Sequence, residues 1–331
     1  MEFLADIGGF IIKAGVIVVA LVIILGVVAQ TAQKQKRGKG ELDVTDVSKE
    51  LNEMRDSLRI ELLDGKAQKK AQKALKKARK GEHSPQSKLF VIDFKGSVDA
   101  KEVDSLKREV NAIVSIATDQ DEVLVRLESG GGVVHGYGLG AAQLQRLIDH
   151  GLKVTIAVDK VAASGGYMMA CVGNNILSAP FAFIGSIGVV AQLPNVNKWL
   201  KNHDIDIEQI TAGEYKRTLT VLGENTEEGR RKFKQDLESI HHQFKEHVQR
   251  HRPELDIEKV ATGEVWTGTE AHELGLVDEV ITSDAWMLKQ LDTHRILKVE
   301  YSIKKPLSER FAKGAATLVN TLKSSFTRSD V

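Results

Sequence analysis

Ser164 sits among small residues, in the run Ala162-Ala163-Ser164-Gly165-Gly166-Tyr167, and a Tyr215-Lys216 pair follows further along the chain. Three consecutive glycines, Gly130, Gly131 and Gly132, lie upstream at the end of a strand-like run. A serine hydroxyl attacks an amide only if one group takes its proton and others hold the oxyanion that results. Glycines after a strand let backbone N–H groups approach a ligand closely, so Gly131 or Gly132 offers one oxyanion donor. The amide of Gly165, at the start of a helix beginning near Ser164, offers the second. A glycine triplet by itself marks a turn more often than a site.

Three residues are candidates for the base. His135 follows the glycines but has no acidic partner at a telling spacing. Asp159 ends a strand, and carboxylates are poor bases toward a hydroxyl unless strongly perturbed. Lys216 is the third, and an amine must lose its charge in a dry, apolar setting before it can accept a proton. Most lysines are solvated surface charges, so the residues alone leave the choice open. Cys171 lies in an apolar run that reads as a buried helix, where a neutral thiol is inert. His241, His242 and His247 share a helix without the HExxH spacing of a zinc site and read as a polar helix face, and Glu270 and His272 are no stronger as ligands. No metal or cofactor is expected.

The elements that position these groups follow from periodicity. Strands are predicted over 89–94, 122–129, 154–158 and 176–179. Helices are predicted over 103–114, with Val103, Leu106, Val110, Ile113 and Val114 on one face, over 137–149, and from Ser164. A long helix over 224–250 carries Phe233, Leu237, Ile240, Phe244 and Val248 on one face. Strand and helix in alternation point to an α/β fold with parallel pairing. Residues 184–193 are too short to span a membrane and read as core or active-site wall.

The chain has 331 residues and a formal net charge of +1. That balance gives no basis for nucleic-acid binding. Its single cysteine rules out an intrachain disulfide. Residues 14–29 are uncharged and nearly all aliphatic, and 8–12 extend the run past Lys13, giving the roughly 20 residues that a spanning helix needs. A cleaved signal peptide is the competing reading, but Glu2 and Asp6 make the start acidic. Lys34, Lys36, Arg37 and Lys39 follow the apolar run, which by the positive-inside rule makes that side cytoplasmic. Residues 41–64 read as a helix with Leu51, Met54, Leu58 and Leu62 at helical spacing. Residues 66–80 carry eight basic residues and no acid. That segment reads as a solvated stalk, or more sharply as a surface for anionic lipid.

Four motifs in order carry a resemblance: Ala162–Tyr167; Gly185-Ser186-Ile187-Gly188-Val189; Gly213-Glu214-Tyr215-Lys216; and the stretch from Gly268 to Gly275-Leu276-Val277-Asp278. Together they resemble the signal peptide peptidase A family (peptidase family S49) of membrane serine peptidases, over residues 88–282. The apolar N-terminus, the basic stalk and Gly136-Tyr137-Gly138-Leu139 are closer to its SohB-type branch.

The resemblance implies a ClpP/crotonase-like fold of repeated ββα units and a serine–lysine dyad. Ser164 matches the nucleophile and Lys216 the general base. Ser186 matches a serine that orients the lysine amine, and Gly132 and Gly165 match oxyanion-hole positions. It also implies peptide or protein substrates, and homo-oligomeric rings or domes in which the lysine can come from a neighbour. The expected organisation is an inner-membrane anchor over 1–33, a charged stalk over 34–87, a peptidase domain over 88–282 and an extension over 283–331.

The chain departs from the family where Ser129-Gly130-Gly131-Gly132 replaces the common Ser-Pro-Gly-Gly, and again at Arg217-Thr218-Leu219-Thr220, which puts the usual substrate preference in doubt. Family members that clear signal peptides are thought of as facing away from the cytosol, so a periplasmic catalytic domain stands against the cytoplasmic one that the charges favour. Two rival functions are a crotonase-type acyl-CoA enzyme, which keeps the oxyanion hole but uses carboxylates, and a ring scaffold without turnover.

Overall fold

The computed structural model describes residues 40–78 and 87–302. The predicted membrane segment and most of the C-terminal extension lie outside the described residues. Among the described residues no helix is long and apolar enough to cross a membrane.

Residues 41–64 are not one helix. They form strand β1 (Glu41–Asp46) and helix α1 (Val47–Glu61). The break is at Asp46, whose carboxylate accepts from the Lys49 N–H and caps the helix. The apolar stripe on α1 is largely uncovered: Met54, Leu58 and Leu62 are exposed. Helix α2 (Gly65–Ala78) carries residues 66–78 of the basic run, and the rest of that run lies outside the described residues.

The central sheet is built from β2 (Lys88–Lys95), β3 (Glu122–Glu128), β4 (Lys153–Val158), β6 (Asn175–Ser178), β9 (Glu279–Val280) and β10 (Arg295–Ser302). Its order is β1-β10-β2-β3-β4-β6-β9. Every pairing from β10 through to β9 is parallel. The sheet therefore continues past residue 282. Its central strands β2, β3, β4 and β6 are buried at most positions because both faces are covered, while the outer strands β1, β9 and β10 are more polar and partly exposed. Phe90, Ile92, Val123 and Val125 join the cluster under helices α3 (Val103–Val114) and α4 (Val134–Asp149). The alternate residues Leu89, Val91 and Leu124 pack with Trp286 and Met287 of α10 (Ser283–Gln290).

A second, small sheet consists of β5 (Val161–Ala163), β7 (Phe183–Gly185) and β8 (Val265–Thr267). β5 and β7 run parallel, with Ala163 opposite Gly185. The end of β3 joins this sheet through Ser129, which bridges to Ala162. Helix α5 (Gly165–Ala170) follows β5 directly. Helix α6 (Asn197–Lys201) is the one element in the otherwise irregular stretch between β7 and the long helix α7 (Glu227–His251). Helices α8 (Ile257–Val260) and α9 (Gly268–Glu273) flank β8.

Candidate active site

Three strand ends converge. The glycine triplet follows β3, Ser164 follows β5 and Ser186 follows β7, so the groups collect at the carboxyl ends of parallel strands, where α/β sheets bind ligands.

Ser164 occupies a sharp strand-to-helix turn with φ 52° and ψ −119°. A non-glycine residue at positive φ is strained, and such turns thrust the side chain outward. The turn is clamped on both sides: Ser164 N–H donates to Gly185 O at 2.8 Å, and Met168 N–H donates to Ser164 O at 2.9 Å. The hydroxyl itself has no hydrogen-bond partner among the described residues. Ser186 also has positive φ, 51°, and its N–H donates to Glu264 O at 2.6 Å.

The glycine loop is held by a directional relay. Gly131 N–H donates to Ser129 Oγ (3.1 Å), Ser129 Oγ contacts Tyr137 Oη (2.5 Å), and Tyr137 Oη donates to Ser97 O (2.8 Å). This decides between the two upstream glycines, because the Gly131 amide is already committed. Gly132 N–H has no acceptor among the described residues, and neither has Gly165 N–H. Both amides are free to donate into the cavity that Ser164 lines. The loop needs glycine for close approach: a Cβ on Gly131 would meet Ser164 Cβ at 2.7 Å, and one on Gly132 would meet Val98 O at 2.0 Å.

These groups line one cavity of about 850 Å³, together with Val98, Val133, Val134, Met168, Gly188, Val189, Val190, Ile240, His241, Phe244 and Gly263. Ser164, Gly132, Gly165 and Ser186 are thus brought together, and residues 188–190 form part of the wall. The base candidates are not brought to it. His135 is exposed and outside the lining. The Asp159 carboxylate accepts from Ser283 N–H (2.8 Å) and Oγ (2.5 Å), and so caps α10. Lys216 stands exposed on a turn closed by its own N–H to Gly213 O at 3.2 Å, also outside the lining.

The helical histidines do not form a purely polar face. His247 Nε2 donates to Met168 O at 2.9 Å, tying α7 to α5. Burial pulls the His247 pKa below its ordinary value, against the opposing effect of that bond. His241 reaches the cavity. Cys171, His247 and His251 bring their ligand atoms within 4.8 Å of one another. Both ring nitrogens of His251 are engaged, by His247 O (2.8 Å) and Gln145 Oε1 (3.0 Å). Cys171 is fully buried, which pushes its thiol pKa far up, and it donates to Met168 O. The cluster is a hydrogen-bonded seam between helices.

The chain belongs to peptidase family S49: the family's N-terminal model matches residues 2–144 and its peptidase model residues 146–296. It is 48% identical over 329 residues to a protein of Haemophilus influenzae named "Probable protease SohB", covering 95% of this chain and 93% of that one. A protein of Buchnera aphidicola subsp. Schlechtendalia chinensis with the same name is 44% identical over 307 residues, covering 88% of this chain and all of that one. Among solved structures, a mutant of the 1510-N membrane-bound stomatin-specific protease aligns at a TM-score of 0.41 and 14% identity, covering 63% of this chain and 91% of that one.

Proposed function

We propose that this protein is a membrane-anchored serine endopeptidase in which Ser164 is the nucleophile and Lys216 the general base. The observation that carries this reading is the strained Ser164 turn. Its unpartnered hydroxyl shares a cavity with the two free glycine amides, in a chain of a peptidase family. Ser164 Oγ attacks the scissile carbonyl carbon as its proton passes to the uncharged Lys216 amine. The carbonyl oxygen becomes an oxyanion held by the Gly132 and Gly165 N–H groups. Collapse breaks the C–N bond, and the departing amine takes the proton back from Lys216. Water, activated by the same lysine, then releases the acyl group from Ser164. Ser186, one strand over, orients the lysine amine.

Lys216 must enter the cavity for this chemistry. Residues 189–226 form a long, mostly irregular segment whose Val190, Trp199, Ile210 and Tyr215 are exposed. Such a segment is a functional loop or an uncovered contact surface. We read it as the contact between copies in a ring, each lysine serving a neighbour's serine. Two features support a ClpP/crotonase-like arrangement. β4 and β6 lie in the large sheet while their successors β5 and β7 lie in the small one, and α5 completes a ββα unit. The membrane reading rests on residues 14–29, and the charges beyond them favour a catalytic part on the cytoplasmic side. Fitting substrates are signal-peptide remnants and misfolded or membrane-associated polypeptides.

The test is hydrolysis of an unstructured peptide by the full chain and by Ser164→Ala and Lys216→Ala. Each substitution is expected to lower kcat by about three orders of magnitude or more. Full activity in either variant removes the dyad.

A further inference from the structure

Tyr137 has no task in the proposed dyad, yet it touches both sides of the oxyanion site. It lies near the start of α4 and is fully buried. Its ring packs against Gly165, where a Cβ would meet Tyr137 Cγ at 2.4 Å. Its hydroxyl contacts Ser129 Oγ, which accepts from Gly131 N–H. Gly131 is joined directly to Gly132, so this one side chain adjoins the residues that carry both free amides. The proton order is set by distance. Tyr137 Oη donates to Ser97 O at 2.8 Å, whereas Ser129 Oγ lies 3.4 Å from Gly96 O. The Ser129 hydroxyl therefore donates to Tyr137 Oη and keeps a lone pair for Gly131 N–H. Both ends of the relay are anchored. Ser97 N–H and Oγ donate to the Glu102 carboxylate at 2.9 and 2.8 Å. Ser129 N–H donates to Val161 O at 2.9 Å, and Ala163 N–H donates to Ser129 O at 3.0 Å. The two donor loops also touch: a Cβ on Gly131 would meet Gly165 N at 2.7 Å.

We propose that Tyr137 is a positioning residue for the oxyanion hole: its hydroxyl, through Ser129 Oγ, fixes the loop that carries the Gly132 amide, and its ring fixes Gly165, so that both donors converge on one point. This rests on the serine-peptidase reading. Donors aimed at a charge that appears only in the transition state act on kcat and leave KM nearly unchanged. Tyr137 works through other residues, so its loss costs less than the about hundred- to thousandfold of a whole missing donor.

The experiment compares the full chain with Tyr137→Phe, which keeps the ring against Gly165 and removes the hydroxyl, with Ser129→Ala, which breaks the same link from its other end, and with the double variant. Sites are counted by complete labelling of Ser164 with a fluorophosphonate, and peptide hydrolysis is expressed per labelled site. A variant that merely folds poorly then loses sites and keeps its rate per site. The proposal expects Tyr137→Phe and Ser129→Ala each to lower kcat per site about tenfold with KM within about twofold. The labelling rate is expected to fall with kcat, because attack on phosphorus calls on the same two amides. The double variant should lie within about twofold of either single one, since all three break one relay. Full kcat per labelled site in Tyr137→Phe overturns the proposal. So does a change confined to the number of sites, a rise in KM at constant kcat, or single effects that multiply in the double variant. If the unaltered chain neither labels at Ser164 nor hydrolyses peptide, the serine-peptidase reading fails, and this proposal fails with it.

Discussion

Ser164 and Ser186 are matched residues. Each follows one member of the paired positions Ala163 and Gly185 on neighbouring parallel strands, and each is held at positive φ, 52° and 51°. The Ser164 N–H closes the pair by donating to Gly185 O at 2.8 Å. Strands in a sheet lie about 4.8 Å apart, so the two hydroxyl-bearing residues are neighbours by construction.

On the proposed mechanism Ser186 orients the lysine amine and does not bond the substrate, so Ser186→Ala is expected to lower kcat by about ten- to a hundredfold with KM nearly unchanged. Steady-state kinetics on a peptide checks this. A rise in KM at constant kcat would assign Ser186 to substrate binding.

Lys216 is exposed and outside the Ser164 cavity, which predicts that sites are completed between copies. Inactive Ser164→Ala and Lys216→Ala chains, co-expressed, then form some sites with an intact serine from one chain and an intact lysine from the other. Random mixing restores about a quarter of the normal activity. A co-expressed pair as inactive as each parent would place both residues of a site on one chain.

Much of this was legible in the sequence, and the gaps have physical causes. Strands 88–95, 122–128 and 153–158 are apolar on both faces, so their patterns are strong and their predicted bounds are close. The strand at 41–46 is not legible, because the helical spacing of 51, 54, 58 and 62 lies beyond it and six residues are too few to break that period. His241 was read as part of a polar face. Positions 237, 241, 244 and 248 share a helical stripe that includes it, while the apolar period of the helix runs through Ile240. The residues by themselves leave Gly131 and Gly132 open and only the resemblance points to Gly132, because the choice depends on where Ser129 Oγ points. The turn geometry of Ser164 depends likewise on a strand pairing between distant segments.

Glu109 gives the fold a pH dependence. It is buried on α3, and its carboxylate accepts from Tyr301 N–H at 2.8 Å. Burial pushes its pKa up to about 7, against the lowering effect of that bond. The native state therefore holds this proton more tightly than the unfolded chain, and stability falls as pH rises from about 4.5 through about 7. Glu109→Gln keeps an acceptor for Tyr301 but cannot ionise. The variant should match the unaltered chain near pH 5 and exceed it at pH 8 by on the order of 2 kcal/mol. Denaturant unfolding at the two pH values measures the difference, and parallel behaviour would remove Glu109 as the cause.

The most direct test is mass-spectrometric mapping of the residue modified when the full chain, in detergent, reacts with a fluorophosphonate. The account predicts a single adduct on Ser164, formed with loss of peptidase activity and much slower in Lys216→Ala. No adduct, or an adduct elsewhere while Ser164→Ala still cleaves peptide, would contradict it.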